Sequence, residues 1–414
     1  MLNRSIKVLL YLSLLTPLLF SSSLIFPFIT VKVIFFQTCI ALASILCILN
    51  KNISLKNFFK NKINLLLTLF FVSLLVSSVF GVDVRYSFLG NYERSLGIMS
   101  LVYFYAFFVL LNLSLKKESW RSFIIFALIV SNLVAILGLF QYIGFPYGKN
   151  FLLTAAFGKV WSTLGNYIYL SSYALFGIFF SLHYLFQEKN PYWKQFYLSS
   201  FLLSLLSLFM GASRGPFIGF VVGLSVLILL YFVKGSRRVK INMLSLVAVL
   251  VIIFSLSYAL RDEKVLKKNI PGFARFTRLD ISGTGTQRLI AWGSGFKAFL
   301  EKPVLGWGNE NIGIAFNKYY DPRTFELGGV YETFKDRLHN RYLDILVEQG
   351  LVGLIIWLIL AGLIIYKLCK KRMYFLLALW LAYSVNLFFV FDSQATYLMM
   401  FLFLAYVSSY ENLS

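Results

Sequence analysis

The feature that most constrains this chain is a recurrence. Again and again it runs for about twenty residues with almost no charge, the length a helix needs to cross roughly 30 Å of hydrocarbon. Lipid offers no water to a bare N–H or C=O, so such runs must satisfy their own backbones and form helices. They fall near residues 6–23, 27–49, 63–81, 96–114, 122–144, 166–186, 196–210, 217–233, 241–260, 350–368, 373–391 and 394–409. The expectation is an all-α integral membrane protein of about twelve transmembrane helices. Composition supports this: with 59 % hydrophobic and 14 % charged residues and a mean hydropathy of +0.76, a soluble fold could not hide its apolar surface. Residues 1–23 resemble a signal peptide, but no small-x-small cleavage site follows Ser21-Ser22-Ser23, so they read as a retained first helix.

Basic residues set the orientation. Alternate connections carry Lys51, Lys56, Lys60 and Lys62, then Lys116, Lys117 and Arg121, then Lys234, Arg237, Arg238 and Lys240, then Lys367, Lys370, Lys371 and Arg372. The short connections between them carry few, such as Arg85 and Arg94, or Arg214 alone. The positive-inside rule therefore predicts both termini in the cytoplasm and the intervening connections outside it. The formal charge of +22 is on this reading a topology signal directed at membrane lipids, and no nucleic-acid partner is expected.

Metal and redox chemistry have little to work with. Cys39 and Cys47 fall within a predicted helix and Cys369 at a helix end, spacings that fit neither a disulfide framework nor a zinc site. The chain has 2 histidines, His183 and His339. His183 lies at the predicted cytoplasmic end of the sixth span and reads as structural. No metal and no cofactor are expected.

The polar surface outside is concentrated in residues 261–349, which divide the chain into spans one to nine (1–260), a loop domain, and spans ten to twelve (350–414). Ordered connections of that length usually have structure and function. Its first part, up to Lys302, is basic; beyond Pro303 acids slightly outnumber bases. Thr286 to Glu301 reads as a helix with Leu289, Trp292, Phe296 and Phe299 on one apolar face, suited to lying on the membrane surface with its aromatic side down. Thr284 or Thr286 is placed to cap it, and Lys302-Pro303 ends it. Arg288, in the first turn beside Gly283-Thr284-Gly285, makes a corner suited to an oxyanion or phosphate, although a solvated arginine explains it too. Leu338 to Gly350 reads as an amphipathic helical turn or two leading into the tenth span. His339 near its start would be kept neutral by the helix dipole, as a general base requires, or else merely hydrogen-bond at the surface. Arg214 lies in the tight connection Gly211-Ala212-Ser213-Arg214-Gly215-Pro216 at the outer boundary, where it either serves a function or snorkels to headgroups.

Taken in order, Thr163-Leu164-Gly165-Asn166, Ser213-Arg214-Gly215, Gln287-Arg288 with Trp292, Pro303-Val304-Leu305-Gly306-Trp307-Gly308, and His339-Asn340 with Tyr342, Glu348 and Gly350 resemble the O-antigen ligase family. The related O-antigen polymerases and protein O-oligosaccharyltransferases share this pattern. The resemblance implies a helical periplasmic domain above a lateral membrane opening in the bacterial inner membrane. It implies metal-independent transfer of a glycan from undecaprenyl pyrophosphate to a sugar hydroxyl of lipid A-core. By the same analogy Arg288 and Arg214 bind the pyrophosphate and His339 activates the acceptor hydroxyl. A further loop arginine would match Arg275 or Arg278, with Arg275 preferred, and Ser213 and Asn340 are candidates for support.

The residue chemistry fits that mechanism independently. Breaking a sugar–pyrophosphate bond builds negative charge on the leaving group, which fixed guanidinium groups can stabilise with bidentate contacts. The outer loops hold no Asp-x-Asp motif for a metal to do the same. A polymerase of the same chemistry remains open. So does a transporter or flippase, which would place charge mid-span, where Lys32 is the marginal exception.

Overall fold

In the computed structural model the protein is described over residues 2–50, 57–143, 159–234, 284–326 and 334–410, with a few isolated positions between. Most of the predicted ninth span, and both Arg275 and Arg278, lie outside the described residues. The described elements are helical: α1 (Leu2–Ser13), α2 (Thr30–Leu49), α3 (Lys62–Val79), α4 (Val84–Leu89), α5 (Ile98–Ser114), α6 (Lys117–Tyr142), α7 (Tyr167–Leu185), α8 (Pro191–Met210), α9 (Arg214–Lys234), α10 (Thr284–Glu301), α11 (Ile312–Lys318), α12 (Arg323–Glu326), α13 (Arg341–Lys370), α14 (Tyr374–Asn386) and α15 (Gln394–Ser409). Six are long and apolar enough to cross a membrane: α2, α3, α6, α7, α9 and α13. The shorter α5, α14 and α15 are also apolar. This is a membrane protein.

Helix starts follow from short polar side chains that accept the orphan N–H groups of a first turn. Asn61 accepts from Ile63 N (2.9 Å), Asp83 from Tyr86 N (2.8 Å) and Asn166 from Ile168 N (2.8 Å). Asn190 accepts from Tyr192 N (2.9 Å), with Pro191 in the first turn that its missing N–H suits. The first helix stops at Ser13, well short of the predicted end at 23, because Pro17 enters a 3-10 turn over Thr16–Leu18. The buried Lys32 ammonium, in the first turn of α2, donates to the carbonyls of Leu19 (2.6 Å) and Phe28 (2.8 Å) and so ties the helix to the preceding segment.

The chain forms two compact units. One comprises Met1–Phe126, Ile281–Lys367 and Leu387–Ser414. In it α1 packs on α2, and α5 packs on α2 and α15. Phe36 stacks on Phe104 at 4.5 Å and Phe104 on Phe401 at 5.8 Å. The other comprises Ala127–Asp280 and Leu368–Asn386, where α7 packs on α8 and α14 packs on α7 and α9. The α9–α14 seam is built from Gly219 and Gly223, spaced four apart, with Ala378 and Ala382. A Cβ on Gly223 would stand 2.7 Å from Ala378 O and 2.9 Å from Phe179 Cζ; one on Gly219 would strike Ala382 O. Small residues every fourth position let two backbones approach where apolar side chains gain nothing by leaving lipid.

Within the first unit, α10 lies over a small core of its own. Ala291, Ala298 and Phe299 pack with Trp307, Ile312, Phe316, Leu338 and Val347. Trp292 Nε1 donates to Leu338 O (2.9 Å) and Trp307 Nε1 to Ala298 O (2.8 Å). The apolar face read from the sequence therefore divides. Trp292 and Phe299 turn inward, whereas Leu289, Phe296 and Leu300 are exposed. Successive helix positions turn by about 100°, so the apolar arc is wider than one contact can cover.

The segment Pro303–Gly308 clasps α13 where that helix breaks. Gly350 has φ 66° and ψ −162°, and a Cβ there would stand 2.8 Å from Pro303 O. The groups freed by the break bond across: the amide of Leu351 donates to Pro303 O (2.8 Å), and the carbonyls of Val347 and Glu348 accept from Trp307 N (2.8 Å) and Gly308 N (2.9 Å). Only glycine takes that backbone freely.

Candidate active site

The segment 334–340, just ahead of α13, is fixed by charge. Arg337 pairs with Glu310 and with Glu348 (3.2 Å), and Arg341 pairs with the other oxygen of Glu348 (3.1 Å). All four side chains are at least nine-tenths buried. The Glu310 backbone N–H adds a bond to Glu348 Oε1 (2.9 Å), and Asp344 Oδ1 accepts from Leu338 N (2.9 Å). Buried charges survive only when paired and hydrogen-bonded in this way. A second tether reaches from the turn between α4 and α5. Arg94 grips Asp336 through Nε and through NH2 (3.0 Å), and Asn91 Nδ2 donates to Asp336 Oδ2 (3.3 Å). Burial pushes the Asp336 carboxyl up, but the Arg94 guanidinium outweighs it and holds the group below its usual range.

His339 sits on this fixed segment, one residue before the helix cap. Asn340 provides that cap, its Oδ1 accepting from Tyr342 N (3.1 Å) and Leu343 N (3.3 Å). His339 has a left-handed backbone, φ 55°, a conformation that costs a non-glycine residue energy and persists only where its surroundings impose it. Its ring packs on Phe391 at 5.2 Å between centroids, and Arg94 lies over that same ring at 4.3 Å. Nδ1 is buried without a hydrogen-bond partner, so packing on Phe391, and no carboxylate, sets the ring's orientation. Burial, followed by the charges of Arg288, Lys335 and Arg94, pushes the imidazole down to about 3, against a smaller upward pull from Asp336. The ring is neutral at pH 7. The helix start expected to cause this is outweighed by burial and by three nearby cations.

His339 lines a cavity of about 250 Å³ with Asn91, Glu93, Arg94, Phe334, Lys335, Asp336 and Arg337. Arg288, on α10, is partly exposed, and its charge acts on the imidazole. The structure thus brings two of the sequence candidates, His339 and Arg288, into electrostatic range. Helix α10 begins at Thr284, so Arg288 stands at the end of its first turn. Arg214 belongs to the other unit and starts α9, three residues before the predicted span at 217. Its turn is tight: Ala212 has φ 47°, Ser213 is buried, and a Cβ on Gly211 would meet Tyr167 O at 2.6 Å.

Sequence reasoning missed the residues that hold the histidine. Arg94 entered it only as a charge count, and Asp336, Arg337 and Glu310 did not enter at all. Their partners are 27 to 242 positions away in the chain for Arg337–Glu310 and Arg94–Asp336, and no local pattern announces such pairs. One signal was present: Lys335, Asp336 and Arg337 form a charged run that only Leu338 separates from the histidine.

Comparison with known proteins meets this geometry from outside. A protein of Rickettsia conorii, provisionally named a polysaccharide ligase, is 27 % identical over 182 residues, which are 43 % of this chain and 40 % of the relative. This chain therefore spans well under half of that relative's length. The family model described as O-antigen ligase matches residues 199–358, a stretch that runs from within α8 past the break in α13 and holds Arg214, Arg288 and His339 alike. The resemblance to the O-antigen ligases read from the sequence is shown over residues 199–358.

Proposed function

We propose that this protein is an O-antigen ligase: an inner-membrane glycosyltransferase that moves a glycan from undecaprenyl pyrophosphate to a sugar hydroxyl of lipid A-core. On this reading about twelve helices span the bilayer, both termini are cytoplasmic, and residues 261–349 face the periplasm. The observation that carries the proposal is His339, a neutral imidazole held on Phe391 at a cavity wall, with the Arg288 charge acting on it.

The acceptor oxygen attacks the anomeric carbon of the donor, and the bond from that carbon to the pyrophosphate oxygen breaks. His339 takes the hydroxyl proton. Arg288 and Arg214, with Arg275, stabilise the charge that develops on the departing pyrophosphate. A base and a leaving group on opposite faces of the sugar give inversion. An imidazole with so low a proton affinity is a weak base, so it accepts the proton late, once the forming bond has made the hydroxyl acidic. A pyrophosphate beside Arg288 offsets part of the cationic field and strengthens the base.

A polymerase or a protein O-oligosaccharyltransferase would differ in acceptor alone. Transport is less well supported, since Lys32 is engaged by two carbonyls of its own fold. The test is in vitro transfer from a defined lipid-linked glycan to purified lipid A-core. Product should form at an undiminished rate in EDTA, and Arg288→Lys should lose most of it, because lysine lacks the planar fork. Strong inhibition by EDTA, or an Arg288→Lys protein at the wild-type rate, would overturn the mechanism.

A further inference from the structure

We infer that the cleft between the turn at residues 91–94 and the segment 334–339 is the acceptor subsite, sized for one pyranose ring whose hydroxyl it delivers to His339. The inference rests on the glycosyltransferase reading above and adds to it where the acceptor binds.

The walls have the chemistry of sugar recognition. Glu93, Asn91 and Asp336 supply planar groups that hydrogen-bond hydroxyls, and Phe334, half exposed, supplies an apolar surface for the C–H face of a ring. At about 250 Å³ the cavity is smaller than the roughly 300–1,000 Å³ of sites for drug-sized ligands, which leaves room for a single sugar.

Charge decides against the donor. Arg94 is already paired with Asp336, and Arg337 with Glu310 and Glu348. Lys335 is the third cation on the wall, and against it stand Glu93 and Asp336, with Glu310 and Glu348 behind Arg337, so the cleft has no excess of positive charge for a pyrophosphate, whereas a neutral ring would use the carboxylates as acceptors. The cleft is also built in advance. Asn91 N donates to Glu310 Oε2 (3.2 Å), Glu93 N to Asn91 Oδ1 (2.9 Å), and Ser95 N to Asn91 O (2.7 Å). The ion pairs that seat His339 therefore also shape the wall opposite it.

Transfer from this subsite balances. The bound hydroxyl loses its proton to the imidazole as its oxygen bonds to the anomeric carbon. The leaving pyrophosphate takes the electron pair of the broken bond, and the imidazolium then returns its proton to solvent.

The variants are Glu93→Gln and Phe334→Ala, both at exposed positions, made in the full chain in nanodiscs. Steady-state transfer is followed with a lipid-linked glycan as donor and lipid A-core as acceptor, and thermal melting confirms folding. Each variant should raise the acceptor KM about tenfold and leave the donor KM within twofold, because Glu93→Gln weakens a charge-assisted hydrogen bond and Phe334→Ala removes an apolar face, both met by the acceptor alone. Variants with the wild-type acceptor KM, or with donor and acceptor KM raised together, would remove the subsite and leave the enzyme assignment standing. A wild-type protein that transfers to neither lipid A-core nor a second lipid-linked glycan would instead remove the enzyme assignment, and the subsite with it.

Discussion

Two regions of the molecule are held by opposite means. Around His339 the chain is fixed by buried guanidinium–carboxylate pairs, with Arg337 and Arg341 converging on Glu348. Along the α9–α14 seam it is fixed by near absence of side chain, with Gly219 and Gly223 against Ala382 and Ala378. The seam sets the spacing of two helices and tolerates no added volume. The ion pairs set the position of one chemical group, and they cost desolvation that hydrophobic packing would not. A fold that needed only cohesion would have no use for four buried charges here. The proposed role of His339 gives them one, since they fix the segment that carries it.

Replacing the histidine tests that claim with the largest effect. His339→Ala should lower transfer by about 10²- to 10⁴-fold while the protein stays folded and still binds the lipid-linked donor. A His339→Gln protein with most of its activity would reduce the residue to a hydrogen-bonding role.

The two regions should also fail differently. Glu348→Ala takes the paired carboxylate from buried Arg341 and leaves Arg337 with Glu310 alone; it should cost about 3–5 kcal/mol of stability, since breaking a buried pair leaves uncompensated charge. Gly223→Val overpacks the seam and should cost about 1–3 kcal/mol. Denaturation monitored in the same detergent measures both. Only the Glu348 variant should lose transfer beyond what its unfolded fraction explains. Equal losses of activity per kcal/mol would erase the distinction between the regions.

The pH dependence is the smallest effect and the finest test. In the folded protein His339 is depressed from 6.5 to about 3 by burial, Arg288, Lys335 and Arg94, opposed by Asp336. The unfolded chain therefore takes up this proton first as pH falls. The native state should lose stability through the window from 6.5 toward about 3 on this residue's account. Activity follows the same logic. The acid limb of kcat/KM that His339 contributes should lie well below 6.5, and the limb of kcat should lie higher, because bound pyrophosphate offsets the cationic field. A single limb near 6.5 in both profiles would place the histidine in water.

Much of this was legible in the sequence, and what was not has physical causes. Runs of lipid-crossing length announce helices because the backbone leaves no alternative; six of the described helices are long and apolar enough to cross, while the first stops at Ser13, short of its run. The helical spacing from Leu289 to Phe299 located α10 but not which half of its apolar arc turns inward, because that depends on Leu338 and Trp307 arriving from later in the chain. The glycines of α9 are spaced four apart in plain view, yet only the partner helix shows what they admit. His339 stood out as a rare residue type in a polar loop. The pairing of Arg94 with Asp336 did not, since nothing local links positions so far apart.

The break at Gly350 has a mechanical consequence. An uninterrupted helix of 30 residues would be a rod about 45 Å long, with His339 at one tip and lipid gripping the other. Changes of bilayer thickness tilt such rods, and a tilt of only about 3° acting over that length would swing the tip by about 2 Å. Misplacement by about 1 Å is enough to cost a reaction on the order of 10²-fold. Because Pro303–Gly308 bonds to both sides of the break, to Val347 and Glu348 before it and to Leu351 and Val352 after it, the short piece that follows His339 is held where the rod would otherwise pass the tilt on. Gly350 marks a mooring, the point at which the helix is tied to its own chain as well as to lipid.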